Sequence, residues 1–509
     1  MDFNVDKQHL SCCKIIREAK AEQGIDSDIT LPDYCPDVKS ILRCSVEAGI
    51  NSVSVTGNRI TAEGNALIRL IYVSTDDKLS CFEQNYPLSK YVEMSPMPPE
   101  AQAVASAKVS YVNCRAVSPR RVDVHGCVAV IFSLLCCEGA DILCSASGDG
   151  VQLRLQPLDT CNAVGCTSKL FNMSEVVPLS NEGSVVKSVL HSYACPVITE
   201  TKAVSNKLLL KGELQLTASF CCEDGSVVRK EHSMPISQIV EINGINEDSI
   251  CDVRAAVSSL DTQLRPDENG EMCSLDIAAC VRAYICGYKK LSCAYVEDMY
   301  CIKNEVNLKK NALETKKFIS NIDENFLVSF QADFSGNEIG EITDSWCDSV
   351  TCVSASTEDG IEMSGTVTVC MIYNDSEGRP VLAQRQNDYR FTKNYKSSGG
   401  KFVCGGCVDF CGASVSGKGN TANLRVQLRA YGTVFEASGV TAVCSAEPSE
   451  ELKAYESACA ITVYFSDSGE RLWDIAKKYN TSEDAVRRRN SLKGDVLENE
   501  TMLIIPQVN

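Results

Sequence analysis

The sequence has few of the residues that most catalytic sites require, and it lacks long hydrophobic runs. Four histidines occur among 509 residues, and the spacing of His9, His125, His191 and His232 does not bring a base, a nucleophile and an orienting residue together. The N-terminal segment contains no apolar run of the kind that an export signal has, and the longest apolar stretch, residues 127–137, is too short to cross a bilayer. We therefore expect a cytosolic protein that is not an enzyme and that holds no cofactor.

Basic residues are also scarce. The chain has 49 lysines and arginines against 67 aspartates and glutamates, which gives a formal net charge of -18. Binding to nucleic acid or to an anionic membrane needs clustered positive charge, so the composition argues against both as main partners. With 44% hydrophobic residues the chain is nevertheless typical of a folded protein, and we expect basic or neutral protein partners.

Cysteine, in contrast, is abundant, with 29 residues. A disulfide framework would require export to an oxidising compartment, which nothing in the sequence indicates. Several cysteines stand within strand-like runs, where a reduced cysteine packs as a small hydrophobic residue. Examples are Cys127, Cys221, Cys280 and Cys370. We interpret the cysteines mainly as core residues.

The segment CGGCVDFC carries the most suggestive local cysteine spacing, at Cys404, Cys407 and Cys411. A tetrahedral zinc site needs a fourth ligand and usually a second pair of cysteines, and neither follows in the sequence. We predict no metal and a structural role for these residues, with a zinc or redox site as the alternative.

Internal repeats organise the first 450 or so residues. Three segments align without gaps and share a glycine at one position: NRITAEGNALIRLIY with Gly64, NKLLLKGELQLTASF with Gly212, and DGIEMSGTVTVCMIY with Gly365. Apolar residues alternate along each segment, which predicts half-buried strands. A glycine inside such a strand predicts a bulge or a close approach of a neighbouring backbone.

A second set of similar segments begins at Arg121, Ser274 and Asn423, so each repeat of about 150 residues is itself interpreted as two related halves. The sequence thus predicts a mainly β fold with three β-sandwich-like domains, followed by a small α+β module. We place the domains at residues 1–148, 149–310, 311–455 and 460–509, with boundaries where the alternating pattern lapses, as it does in the charged segment 304–317.

The segment LPDYCPDVKSIL, residues 31–42, occurs only in the first repeat. Proline fixes its own backbone angle and removes a hydrogen-bond donor, so each Pro-Asp pair should end an extended segment. Asp37 is a possible cap for a short helix suggested by Val38, Ile41 and Leu42. A structural turn and an exposed docking strip are both compatible with this segment.

The C-terminal segment combines two strand patterns with two helix patterns. Ile461, Val463 and Phe465 alternate before a helix whose apolar face carries Leu472 and Ile475. Ser482 should cap a second helix that ends near Asn490, and Leu503 and Ile505 alternate after it. The predicted order is strand, helix, helix, strand.

This βααβ pattern resembles the LysM domain. The matching residues are Gly469, Leu472, Trp473, Ile475, Ala476, Tyr479, Asn490, Leu503, Ile505 and Pro506. The resemblance implies binding of N-acetylglucosamine-containing glycans between the two loops that flank the helices. Both loops depart from the family pattern, since Gly469 is followed by Glu470 and Arg471, and the second loop has Asn499, Glu500 and Thr501. We expect Trp473 to anchor the small core of the module.

The three repeats, the Pro-Asp segment and the LysM-like module together resemble the SipL family of endospore-forming bacteria, whose repeated unit is the SPOCS domain. The resemblance implies an adaptor of spore-coat assembly that is made in the mother-cell cytosol and recruited to the forespore surface. Its implied partner is a SpoIVA-like coat-basement ATPase, together with other coat proteins. The alternative is a protein that binds peptidoglycan of the cortex or cell wall.

The candidate partner- or glycan-binding residues lie in the two loops and on the second helix. They are Gly469, Glu470, Arg471, Arg487, Arg488, Asn490, Asn499 and Thr501. Residues 460–509 hold seven basic and eight acidic residues, so an acidic partner could approach this module most easily. We predict that reversing the charges of Arg487 and Arg488 abolishes partner binding and leaves the module folded.

Overall fold

The computed structural model describes residues 3–179, 185–266, 270, 272–334, 338–397, 399–452 and 461–506. Most of these residues are in antiparallel strands, and the two helices of the described chain lie near its C-terminal end. The predicted mainly β fold with a small α+β module is confirmed.

The first unit consists of two three-stranded antiparallel sheets. Its strands are β1 (Asn4–Thr30), β2 (Val38–Thr56), β3 (Arg59–Ser74), β4 (Leu79–Glu93), β5 (Gln102–Ser118) and β6 (Arg121–Ser147). One sheet has the order β2-β3-β4, and the other has the order β1-β6-β5. The first strand pairs along the whole of the last, from Asn4 opposite Ser147 to Thr30 opposite Arg121.

The second unit repeats this arrangement. Its strands are β7 (Val151–Pro178), β8 (Val186–Val204), β9 (Lys207–Cys222), β10 (Val227–Glu241), β11 (Ile250–Pro266) and β12 (Met272–Cys301). The sheets have the orders β8-β9-β10 and β7-β12-β11. Alternate residues of the two central strands, such as Leu214 of β9 and Ile277 of β12, are fully buried in one apolar cluster between the sheets.

The third unit has the same pairing with two strands interrupted. Its strands are β13 (Asn304–Asp333), β14 (Ile339–Val350), β15 (Val353–Ser356), β16 (Gly360–Asp375), β17 (Pro380–Asn394), β18 (Lys401–Cys404), β19 (Cys407–Lys418) and β20 (Thr421–Leu452). The short strands β14 and β15 both pair with β16, and β18 and β19 both pair with β20. The charged segment 304–317 lies inside β13, because its polar residues face outward along a strand and do not interrupt it.

The repeated glycines occupy equivalent, tightly packed positions. A Cβ atom on Gly64, Gly212 or Gly365 would lie 1.9, 2.1 or 1.9 Å from a backbone carbonyl oxygen of the neighbouring chain segment. The partner strand is irregular at each site: β2 shifts register after Ile50, β8 shifts after Ile198, and the third unit breaks between β14 and β15. The predicted bulges and close backbone approach are therefore confirmed.

The Pro-Asp segment is a turn that leads directly into β2. The guanidinium of Arg120 donates to the carbonyl oxygens of Leu31, Pro32 and Cys35 and to the Asp37 carboxylate, the last at 2.8 Å. The predicted helix over residues 38–42 is wrong, because Val38 and the residues after it pair with the end of β3. Pairing across the sheet prevails here over the local capping pattern.

The C-terminal module has the predicted order of elements. Strand β21 (Thr462–Ser466) pairs antiparallel with β22 (Thr501–Ile505), and helices α1 (Leu472–Lys478) and α2 (Glu483–Asn490) lie between them in the chain. The Ser482 hydroxyl accepts a hydrogen bond from the Ala485 amide at 3.1 Å, as the capping prediction requires. The module's buried core includes Leu472, Ile475, Ala476, Val486, Leu497, Leu503 and Ile505.

Candidate functional site

The C-terminal module packs against the end of the second unit. Tyr300 and Ile302, at and just after the end of β12, belong to the same apolar cluster as the core of the module. The rings of Tyr300 and Trp473 meet edge to face with centroids 4.9 Å apart. The Tyr300 hydroxyl donates to the carbonyl oxygen of Thr481 at 2.7 Å. Trp473 is thus buried as expected, and it also contacts the neighbouring unit.

Asp298 of β12 is the polar centre of this contact. Its carboxylate accepts hydrogen bonds from the Trp473 indole at 2.9 Å and from the Lys477 ammonium at 2.6 Å. Lys310 of β13 binds its other oxygen at 2.8 Å. The Asp298 side chain is only 14% exposed, so these bonds are partly shielded from water. One carboxylate therefore joins the module to both the second and third units.

The attachment of the module should weaken in acid. Burial opposes ionisation of Asp298, but hydrogen bonds from Lys310, Lys477 and Trp473 prevail and lower its pKa from 3.8 to about 2. A carboxyl whose pKa is lowered by folding stabilises the fold above its unfolded pKa and loses this contribution as the pH falls toward the folded value. The difference corresponds to roughly 2 kcal/mol, lost between about pH 4 and about pH 2.

Tryptophan fluorescence can measure this attachment, in a Trp346→Phe background that leaves Trp473 as the reporter. We expect an acid transition in this pH range that Asp298→Asn removes, because asparagine does not ionise. An unchanged transition in Asp298→Asn would contradict the assignment to this carboxylate.

The two loops that flank the helices are joined by backbone hydrogen bonds. The Gly469 amide donates to the Leu497 carbonyl at 2.7 Å, and the Leu497 amide donates to the Glu470 carbonyl at 2.9 Å. The Leu472 amide donates to Asp495 at 2.9 Å. Gly469 has a φ of +91°, which favours glycine at this turn. The loop residues of the candidate site are therefore held together as one surface.

The side chains of this surface differ in whether hydrogen bonds hold them in place or they face solvent. Glu470 accepts hydrogen bonds from the Tyr464 hydroxyl at 2.8 Å and from the Asp467 amide at 3.1 Å. The bond from Tyr464 to this carboxylate raises the pKa of Tyr464 to about 12. Arg471 and Asn499 are exposed, and the Thr501 hydroxyl donates to the Asn499 carbonyl at 2.9 Å. Glu470 thus shapes the loop, while Arg471 and Asn499 face solvent.

The candidate residues of α2 fall into two groups. Arg487 binds the carboxylates of Glu483, Asp484 and Asp495 at 2.6, 3.0 and 2.5 Å and is 31% exposed. The Asn490 amide nitrogen donates to the carbonyls of Val486 and Ile504, and its oxygen accepts from the Ile504 amide. Both residues therefore hold the module together.

Arg488 and Arg489 are exposed at the surface of α2. Arg487 follows Asp484 by three residues and Glu483 by four, and this spacing could have predicted its ion pairs within α2. No local pattern predicts its pair with Asp495. Arg487→Glu would place a fourth carboxylate in this acidic cluster and test folding more than binding. Arg488→Glu with Arg489→Glu is the better test of a basic docking face.

An exposed apolar strip on the outer face of β21 and β22 was not anticipated from the sequence. Phe465 is 74% exposed and lies opposite Met502, which is 58% exposed. Val463 and Ile461 continue the strip along β21 with exposures of 45% and 62%. The alternation in this segment correctly indicated a strand, but its apolar residues face outward while Ser466 is buried. We call Ile461, Val463, Phe465 and Met502 the apolar strip.

The cysteines of CGGCVDFC are placed in β18 and β19. Cys404 ends β18, Cys407 begins β19, and Cys411 is exposed farther along β19. In the described part of the chain these three do not form a cluster with metal-ligating distances.

These observations define a class of protein: repeated two-sheet β units followed by a βααβ module that rests on them. The SipL SPOCS domain matches residues 37–117 and 185–265, and the LysM domain matches residues 468–506. The resemblance to SipL is thereby confirmed, and the chain is a sporulation-associated, LysM-containing protein. No curated protein and no solved structure matches the chain.

The two SPOCS matches cover equivalent parts of the first two units, from β2 to β5 and from β8 to β11. Strands β14 to β19 have the same pairing in the third unit. Among the described residues, no helix is both long and apolar enough to span a bilayer.

Proposed function

We propose that this protein is a non-enzymatic adaptor of spore-coat assembly that docks a SpoIVA-like coat-basement ATPase through its LysM module. The SPOCS and LysM matches support a role in sporulation. The observation that carries the docking proposal is the apolar strip. In this proposal the three β units form the scaffold that presents the module at the forespore surface.

The apolar strip has the chemistry of a protein interface. Phe465 and Met502 are neighbours across two strands, so their side chains offer one continuous apolar surface. Burial of apolar area favours association, and aromatic residues are common among the dominant contacts of interfaces. A glycan, whose surface is largely polar, has less to gain from such a strip.

The charge distribution supports the same conclusion. The module is close to neutral while the chain as a whole carries a net charge of -18. Exposed Arg488 and Arg489 add positive charge on α2. An acidic protein partner would therefore meet less repulsion at the module than elsewhere on the molecule.

Peptidoglycan binding is the second candidate function, favoured by the LysM match itself. The loops that would hold a glycan carry exposed acids at Asp495, Glu498 and Glu500. These charges are unusual beside a neutral amide-bearing sugar, which is why we place this function second.

We expect Phe465→Ser with Met502→Ser to weaken binding of the full-length chain to the purified ATPase by about 30- to 1,000-fold in Kd, because two exposed interface residues contribute roughly 2–4 kcal/mol together. Isothermal titration calorimetry measures the change. The module should keep its thermal stability, since both side chains are already exposed. Leu327→Ser, which changes a residue of β13 that is 61% exposed, is the matched control and should bind normally.

A sedimentation assay with insoluble peptidoglycan distinguishes the two functions. The adaptor proposal expects weak, unsaturable retention of the full chain. Strong and saturable retention that persists in the Phe465→Ser and Met502→Ser variant, together with unchanged binding to the ATPase in that variant, would instead favour the glycan function.

A further inference from the structure

Two cross-strand cysteine pairs meet where the first and second units touch. Cys13 of β1 lies opposite Cys137 of β6, and Cys166 of β7 lies opposite Cys286 of β12. The sulfur atoms of Cys13, Cys137 and Cys166 all lie within 4.8 Å of one another. Three thiols therefore lie together, and strand pairing places Cys286 beside them. We call these four residues the junction cysteines.

We propose that the junction cysteines bind one thiophilic divalent cation, Zn²⁺ in the cell, with two ligands from each unit. Tetrahedral zinc has Zn–S distances of about 2.3 Å, which places its sulfur ligands about 3.8 Å apart. Three of the sulfurs lie within 4.8 Å of one another, and Cys286, opposite Cys166, would supply the fourth after a change of side-chain rotamer. Binding releases the four thiol protons, because the ligands are thiolates.

The surroundings suit a buried charged site. Cys286 is 9% exposed and packs in an apolar cluster with Tyr288 and Phe435, which limits access of water. A cavity of about 430 Å³ beside the junction is lined by Cys13 and Cys286 and also by Arg254 and Lys316. Four thiolates around Zn²⁺ carry a net charge of -2, which these two cations would offset only in part, because Arg254 also pairs with Asp252 and Lys316 with Glu314.

A second observation at the junction also indicates a missing polar partner. Asp252 lies opposite Cys286 on β11 and is only 6% exposed. Its Oδ2 atom is 3.3 Å from Arg254, while its Oδ1 atom is buried without a hydrogen-bond partner among the described residues. This oxygen requires a hydrogen-bond donor of its own, because a zinc ion held by four thiolates carries negative charge and would not satisfy a carboxylate.

Simple packing and disulfide formation explain the arrangement less well. Cys44 with Cys114 and Cys144 with Cys293 are examples of thiols in the described chain that interact as simple pairs. Two disulfides would also use all four sulfurs, but they require an oxidising compartment, which nothing in the sequence indicates. A shared ion uses all four and would fix the first and second units relative to each other.

The test uses the full chain purified with a thiol reductant. Mass-spectrometric metal analysis should find about one zinc per chain, and replacement by Co²⁺ should produce intense sulfur-to-cobalt charge-transfer absorption, as expected for a thiolate site. Cys13→Ser with Cys166→Ser should lose most of the zinc, by about tenfold or more. The matched control, Cys144→Ser with Cys293→Ser, changes two neighbouring thiols that also join the first and second units, and it should retain the metal.

Three outcomes would overturn the proposal. The first is a full chain without zinc that also gives no cobalt–thiolate absorption, and the second is a control variant that loses as much metal as the test variant. The third is the detection of disulfides between the junction cysteines by alkylation and mass spectrometry. If the serine variant does not fold, the wild-type cobalt spectrum still decides, because its intensity reports the number of thiolate ligands.

Discussion

Replacing Trp473 with alanine is expected to unfold the LysM module and release it from the second unit. The change removes a side chain that is 5% exposed, its edge-to-face contact with Tyr300 and its hydrogen bond to Asp298. Loss of a buried tryptophan costs roughly 3–5 kcal/mol, which is comparable with the total stability of so small a domain.

Hydrogen exchange of the full chain measures the effect as lost protection across residues 462–505. Trp473→Phe is the matched control, since it keeps an aromatic ring against Tyr300 and removes only the indole donor. We expect this control to remain folded with a small loss of stability. Protection that survives in Trp473→Ala would show that the module does not depend on this contact.

Arg69→Met is expected to destabilise the first unit by roughly 2–3 kcal/mol, because it leaves two partly exposed carboxylates without their buried cation. Arg69 is 1% exposed, and its guanidinium lies 2.6 Å from Glu83 and 2.6 Å from Glu47. Burial raises the pKa of Glu83 even with the arginine present. Without Arg69, the Glu83 carboxylate, which is 24% exposed, and the Glu47 carboxylate, which is 39% exposed, would lie near each other with no cation between them.

Chemical denaturation of the wild type and the variant measures the loss. The double variant Arg69→Met with Glu83→Gln should recover part of it, because Glu83, the less exposed of the two acidic partners, then no longer carries a charge. The single variant should also gain stability as the pH falls, since a raised carboxyl pKa in the folded state favours the protonated form. A single variant as stable as the wild type would contradict this account of Arg69.

Local sequence patterns correctly predicted the features that depend on residues close together in the sequence. Gly64, Gly212 and Gly365 stand in alternating segments, and only glycine fits against the carbonyl oxygens that approach there. The helix predicted after Asp37 failed because the pairing of β2 with β3 is decided by residues far along the chain. A helix-capping pattern therefore does not show whether a segment will instead pair as a strand in a sheet.

The residues of the candidate sites could not be connected from local sequence patterns for the same reason. The junction cysteines are separated by 29 to 124 residues between successive members, so no spacing in the sequence connects them, whereas the compact CGGCVDFC does not form a cluster. The exposure of Phe465 depends on which face of β21 meets the helices, and alternation alone does not say which face that is. The partnership of Trp473 with Asp298 crosses 175 residues.

The pairing of the first strand of each unit with its last strand has a consequence for how the protein forms during synthesis. Asn4 lies opposite Ser147, Val151 opposite Cys301, and Asn304 opposite Leu452. No unit can close until the ribosome has produced its final strand, so the three should complete in order, each waiting on contacts between distant residues. Because each unit starts and finishes at the same place on its surface, a gene segment that encodes one unit could be duplicated in tandem without disturbing the units beside it.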